Sequence, residues 1–178
     1  MSFIPGNYEL GKLPQKTHSI VIRPIEEQDL PGVLAVYRQC QDFLALGPNP
    51  IATPEMVLQD IEHSRREGSQ YCVIAISTGQ TIGVLDYLPS HFEGNPEQAF
   101  ISLLMIAAPY RRRGIGHQVI RQIEVEFQKN GQVRTIITAV QVNNPQALRF
   151  WQKNGYRIVC GPEMQPDTTV TSQLRKNL

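Results

Sequence analysis

Three consecutive arginines, Arg111, Arg112 and Arg113, stand where an apolar strand gives way to an amphipathic helix, and this junction constrains the chain more than any other stretch. The run Phe100 to Ala107 is strand-like, and Ile115, Val119, Ile120, Ile123 and Phe127 follow at helical spacing. A helix start ordinarily carries Ser, Thr, Asp or Asn as its cap and acids in its first turn, because its free N–H groups and macrodipole make that end positive. Here there is no acid, and there are three cations. The arrangement is unfavourable alone and becomes favourable when a multiply charged anion sits on the exposed N–H groups, with Gly114 and Gly116 permitting close approach. The segment therefore predicts a phosphate site; its competing reading is a solvated basic loop closed by a glycine turn. Two other phosphate loops are excluded. Gly116-His117-Gln118 lacks the Gly-Lys-Ser/Thr of a P-loop, and Val119 stands where a dinucleotide fingerprint needs a third small residue.

At 178 residues with 41% hydrophobic content, the chain suffices for one domain with a substantial core. A net charge of +1 offers no global attraction for nucleic acid or an anionic membrane, so neither is an expected partner and the basic cluster acts locally. Cys40, Cys72 and Cys160 are odd in number and lack CxxC spacing, and the four histidines form no HxxxH pair. Neither a disulfide framework nor a metal site is expected. With no signal peptide and no apolar stretch of about 18 residues, the reading is cytoplasmic.

Residues 1–18, with Pro5, Gly6, Gly11 and Pro14, read as an irregular arm, and residues 19–178 as the domain. Ser19 to Arg23 reads as a strand, and Asp29 as the cap of a helix to about Cys40. Thr53-Pro54-Glu55 supplies cap, first-position proline and first-turn acid for a second helix through about Arg66. Tyr71 to Ile76 and Thr81 to Leu88 form a hairpin across Ser77-Thr78-Gly79-Gln80; a polar excursion, Pro89 to Gln98, then leads into the strand Phe100 to Ile106. After the arginines a helix runs to about Asn130, where Gly131 closes it, followed by a strand, Arg134 to Val140. Asn144 and Pro145 start a short helix ending at Gly155, and strands Tyr156 to Cys160 and Thr168 to Arg175 follow on either side of Gly161-Pro162. The order predicts an α+β fold, a mixed and mostly antiparallel sheet with helices on both faces. A right-handed helical crossover makes the strands near residues 103 and 137 parallel.

Arg111-x-x-Gly114-x-Gly116 after one strand, and Asn144-x-x-Ala147-x-x-x-Trp151-x-x-x-Gly155-Tyr156 after the next, resemble the two signature segments of the GNAT superfamily of acyl-CoA N-acyltransferases. Ile82-Gly83 is similar to the family's central glycine-bearing strand, and the likeness extends over about residues 19 to 177. It implies acetyl-CoA as co-substrate and a splayed parallel strand pair. The amides of Arg112 to His117, Ile115 among them, would hold the pyrophosphate beside Arg111. The main chain of Leu104, Met105 and Ile106 would pair with the pantetheine arm as though it were an added strand. Asn144 would reach the cofactor arm or act as a plain helix cap, and Ala147 would keep its helix close or be a small core residue.

Two departures bear on mechanism. Trp151 stands where much of the family has the tyrosine that protonates the departing thiolate, and an indole N–H has no acid character. It reads as core, or as packing on the thioester; a thiol of pKa about 8.5 leaves tolerably without a dedicated acid. Ala139 stands where some relatives that modify protein N-termini carry a glutamate base. Asp86, closing an apolar strand, is the substitute candidate, with a turn or substrate-binding carboxylate as its other reading; Glu97 and Tyr87 follow. The expected function is acetyl transfer from acetyl-CoA to a primary amine of a small molecule or peptide, by direct attack, with a non-catalytic acyl-CoA-binding module as the alternative. A homodimer is left open.

Overall fold

The computed structural model describes residues 19–178, and the arm read at residues 1–18 lies outside them. The elements are β1 (Ile20–Pro24), α1 (Leu30–Arg38), α2 (Gln41–Leu44), α3 (Pro54–Arg66), β2 (Gln70–Ile76), β3 (Thr81–Leu88) and β4 (Gln98–Ile106). After them come α4 (Ile115–Asn130), β5 (Thr135–Gln141), α5 (Pro145–Lys153), β6 (Arg157–Met164) and β7 (Val170–Asn177). Among the described residues the strands form one sheet in the order β1-β2-β3-β4-β5-β7-β6. Every pairing is antiparallel except β4 with β5. This is the expected α+β architecture.

Each face of the sheet carries its own core, because period-two alternation on the strands meets helical stripes on both sides. Val33, Val36 and Tyr37 of α1 and Val57 and Ile61 of α3 pack against Val73, Val84 and Met105. On the opposite face Ile115, Val119, Ile120, Ile123 and Phe127 of α4 and Trp151 of α5 cover Ile74, Leu85, Ile101 and Ile136. Thr53 caps α3 by accepting from the Met56 N–H at 3.2 Å, and Gly131 ends α4 in the left-handed region at φ 68°. A Cβ at Gly83 would lie 2.6 Å from the Met105 carbonyl, so only glycine allows β3 to approach β4 there.

The parallel pair is short. Its register runs from Gln98–Thr135 to Ile101–Thr138 and stops, while β4 stays paired with β3 as far as Ile106–Gly83 and β5 with β7 as far as Gln141–Thr171. The two strands therefore diverge as a V, open at their C-terminal ends. A β-bulge sits at its apex: Asp86 opposes Leu103 and Tyr87 opposes Ile101, leaving Ser102 as the extra residue. Thr138 Oγ1 donates to the Ile101 carbonyl at 2.9 Å and fastens the closed end.

Two local expectations need correction. Asp29 precedes α1 but does not cap it, since its backbone is already helical and its carboxylate is used elsewhere. It accepts from both Arg23 nitrogens, at 2.6 and 2.7 Å, and from the Glu26 N–H at 2.9 Å. Gly161-Pro162 does not divide two strands; β6 runs through it, and two register shifts against β7 each absorb one extra residue.

The hydrogen bonds from Arg23 hold the Asp29 carboxyl below the usual carboxylate range, against burial, which acts in the opposite direction. Asp29→Asn should cost about 2 kcal/mol at pH 7, the usual worth of hydrogen bonds to a charged group. A depressed folded value means that this stability is present above the unfolded value near 4 and is lost as pH falls through the folded one. Denaturant midpoints of wild type and variant should therefore draw together as pH falls below the unfolded value and through the folded one. A gap of equal size at pH 7 and pH 3 would contradict the assignment.

Candidate active site

The Ala107 N–H donates to the Ile82 carbonyl at 2.8 Å, holding the end of β4 against β3, and a 3-10 turn, Ala108–Tyr110, leads into the arginine loop. Arg112 at φ 58° and Gly114 at φ 79° alternate with ordinary residues, the pattern that turns successive N–H groups inward. The first bond of α4 runs from the Gln118 N–H to the Gly114 carbonyl at 3.0 Å. The N–H groups of Arg112, Arg113, Gly114, Ile115, Gly116 and His117 find no acceptor among the described residues. That is a run of donors suited to a polyphosphate.

The two glycines differ in what they do. A Cβ on Gly114 would meet nothing within 4 Å, so this position is open, and its left-handed backbone is what favours glycine. A Cβ on Gly116 would lie 3.0 Å from the Phe150 ring, so that glycine serves the packing of α4 on α5. The three arginines differ too. Arg111 turns back: its Nε donates to the Ile106 carbonyl at 2.7 Å and its Nη1 to Asp42 of α2. Arg112 and Arg113 are exposed, the latter with its guanidinium 5.7 Å from the centre of the Tyr110 ring. His117 is bonded through Nδ1 to Asn154 Oδ1, and Asn154 Nδ2 donates to the Phe150 carbonyl at 2.8 Å. This assigns the proton to His117 Nδ1 and ties the start of α4 to the end of α5.

On β4 the residues that bond to β3 alternate with those that face the gap. Ala107 and Met105 turn toward β3, so Leu104 and Ile106 present their main chain to the open V, although the Ile106 carbonyl is taken by Arg111. The side chains of Leu104 and Ile106 pack on the α4/α5 core and that of Met105 on the α1/α3 core. Asn144 is a helix cap, its Oδ1 accepting from the Ala147 N–H at 3.0 Å, and half-buried Ala147 packs on the core.

Trp151 is 6% exposed and edge-on to two rings, Phe150 at 5.3 Å and Tyr156 at 4.8 Å. Its environment is core. Trp151→Phe should retain most of any turnover while costing about 1–2 kcal/mol, because a large ring is kept and volume is lost. A thousandfold fall in kcat in a variant with an unchanged melting temperature would assign it a chemical role instead.

The three candidate bases are not brought together. Tyr87 lies on the α4 face, its ring against Phe127 and its hydroxyl donating to Gln70 Oε1 at 2.7 Å, with its ionisation pushed up to about 12 by burial. Glu97 precedes β4, at the end remote from the arginine loop, and is ion-paired with Arg134 at 3.1 Å on the surface. Asp86, on β3, is the candidate bonded to Ser102 at the apex of the V. It is 8% exposed, and its carboxylate accepts from Ser64 of α3 at 2.6 Å and from Ser102 at 2.7 Å. Sequence reading missed Ser102, whose place depends on the bulge, and Gln141, whose buried Oε1 has no partner among the described residues. Near the outer end of β5 lies a cleft of about 400 Å³ lined by Leu46, Gly47, Pro48, Val142, Asn143, Thr168, Thr169 and Val170, none of them charged. Among the described residues no cluster of three or more potential ligands could hold a metal ion. No helix there is long and apolar enough to cross a membrane.

Residues 36–156 match the Acetyltransferase (GNAT) family. The chain belongs to that family. Over 65 residues it is 35% identical to N-alpha-acetyltransferase 50 of Danio rerio, a match that spans 36% of this chain and only 39% of that protein. An acetyltransferase from Thermus thermophilus superposes with a TM-score of 0.76 at 22% identity, covering 91% of this chain and 100% of that one. The spermidine N-acetyltransferase of Vibrio cholerae, solved with CoA and spermine, gives 0.68 at 13% identity over 89% and 95% of the two chains. At these identities the structural matches establish the GNAT fold, and the V, the bulge and the N–H loop are this chain's own version of it.

Proposed function

We propose that the protein is an acetyl-CoA-dependent N-acetyltransferase, acting in the cytoplasm on the primary amine of a peptide. The observation that carries this reading is the open V between β4 and β5, leading to six N–H groups at the start of α4 that have no acceptor among the described residues. An acyl-CoA has the matching parts, a pyrophosphate for the N–H groups and an amide-bearing arm for a strand edge. Arg112 to His117 would hold the first and the main chain of Leu104 the second; the bound group supplies an acetyl thioester. The chain's own part is to position the amine against it and to take its proton.

Direct attack is favoured over a covalent acetyl-enzyme. Burial pushes the Cys40 thiol up and that of Cys72 up to about 11, while the hydrogen bond to Glu163 raises that of Cys160. None is set up as a thiolate. A peptide is favoured over a polyamine because the cleft near the outer end of β5 is lined by no carboxylate that would hold a polycation.

The test is thiol release from acetyl-CoA with a panel of peptides bearing free N-termini, with spermidine alongside. Peptide turnover exceeding that of spermidine at least tenfold in kcat/KM supports the proposal. The reverse preference overturns the acceptor class, and acetyl-CoA binding by calorimetry without any turnover supports a non-catalytic acyl-CoA module.

A further inference from the structure

We propose that Ser102, with Asp86 behind it, carries away the proton that the attacking amine must lose; this rests on the acetyl-transfer reading above. Ser102 is the extra residue of the β4 bulge and the first residue beyond the last parallel pair, Ile101–Thr138. It is exposed on a strand whose neighbours Ile101 and Met105 are buried, and Ala139, the next residue of β5, is exposed as well. Bulges re-aim side chains, and this one puts a hydroxyl at the apex of the V.

The hydroxyl is polarised in one direction. Its Oγ lies 2.7 Å from Asp86 Oδ2 and 2.9 Å from the Asp86 carbonyl, both acceptors, so its proton is committed inward. Its lone pairs are then left for an N–H arriving from the open side. Asp86 is held by two hydroxyls and, among the described residues, by no cation. Buried Asp29 makes the contrast: it has a bidentate arginine and is committed to structure. The groups that face Asp86 are Asp60 from α3 and Tyr71 and Cys72 from β2, all of which feel its charge, with His63 beyond Asp60.

The step balances as follows. The amine nitrogen bonds to the thioester carbonyl carbon, and the π pair moves onto oxygen. The N–H proton passes to Ser102 Oγ as the serine's own proton passes to Asp86 Oδ2. The carbonyl re-forms, the C–S bond breaks and sulfur leaves with the electron pair, taking a proton from solvent. Asp86 then returns its proton to solvent through Ser102, so one proton leaves nitrogen, one reaches sulfur and the protein is unchanged.

The experiment compares wild type, Ser102→Ala and Ser102→Thr with acetyl-CoA and a peptide amine, reading kcat, amine KM, the pH profile of kcat, acetyl-CoA affinity and melting temperature. Ser102→Ala should lower kcat about a hundredfold and flatten the acid limb of the profile, with KM and acetyl-CoA affinity within about threefold. Ser102→Thr, which keeps the hydroxyl, should recover to within about fivefold of wild type. The relay alone is overturned if wild type turns over and Ser102→Ala stays within about twofold of it, if the loss lies wholly in KM, or if a folded Ser102→Thr fails as the alanine does. A wild type that binds acetyl-CoA and acetylates no amine removes the underlying reading, and the relay with it.

Discussion

A protein carrying Gly114→Asp should fold as stably as wild type and bind acetyl-CoA about a hundredfold more weakly, a loss of about 2.7 kcal/mol. The two halves of this expectation come from opposite responses to one charge. Position 114 has a left-handed backbone that Asp tolerates better than most residues, at roughly 1 kcal/mol relative to glycine, and a side chain there meets nothing within 4 Å. A carboxylate at the start of α4 also interacts favourably with the helix dipole, by about 0.3–1 kcal/mol, at an end that has no acid in its first turn. Stability therefore changes little. A pyrophosphate on the same N–H groups would meet that carboxylate at close range, where one pair of like charges costs about 3 kcal/mol at an effective dielectric of 20. Gly114→Asn has nearly the same shape and no charge, so its affinity should stay within about fivefold of wild type. Calorimetric titrations at two salt concentrations check this, and the Asp deficit should shrink as salt rises. Equal losses in the Asp and Asn variants would mean that backbone conformation matters and charge does not. Unchanged affinity in a folded Asp variant would place the phosphates elsewhere.

What the sequence made legible was local and periodic. The α4 stripe, the Thr53 and Asn144 caps, the β2–β3 hairpin and the parallel β4–β5 pair all follow from spacing and cap chemistry, and each stands where expected. Asp29 was misread because an aspartate before an apolar stripe has the composition of a cap; only the fold brings Arg23 across to claim its carboxylate. The arginine run showed which loop collects positive charge, but not how that charge is divided. Asp42, 69 residues away, and the strand-end carbonyl of Ile106 take Arg111 out of it. Gly116 likewise reads as a ligand-loop glycine until α5 sets the Phe150 ring against it. Ser102 was the least legible of all. Nothing in Phe100-Ile101-Ser102-Leu103 distinguishes its serine from any other in a strand, because a bulge is a property of register between two strands.

Asp86→Asn should lower kcat about a thousandfold while leaving the melting temperature unchanged or raised, and the combination is what makes it informative. The carboxylate is buried with hydroxyl partners, Ser64 at 2.6 Å and Ser102 at 2.7 Å. An asparagine amide can satisfy both, since one hydroxyl donates to its oxygen while the other rotates to accept from its nitrogen. The hydrogen-bond count survives, and a buried charge with no bonded cation is gone, which removes a desolvation cost. The same change at Asp29 strips an arginine of its partner and destabilises, so the two aspartates should respond with opposite signs. A damaged fold cannot account for lost turnover in a protein that melts no earlier than wild type. What the amide cannot do is take up a proton at working pH, and the loss should therefore appear in kcat, with the acid limb of the pH profile gone. A rise in amine KM at unchanged kcat would make Asp86 a holder of the ammonium group, and values of both within about threefold of wild type would leave it no part in the reaction.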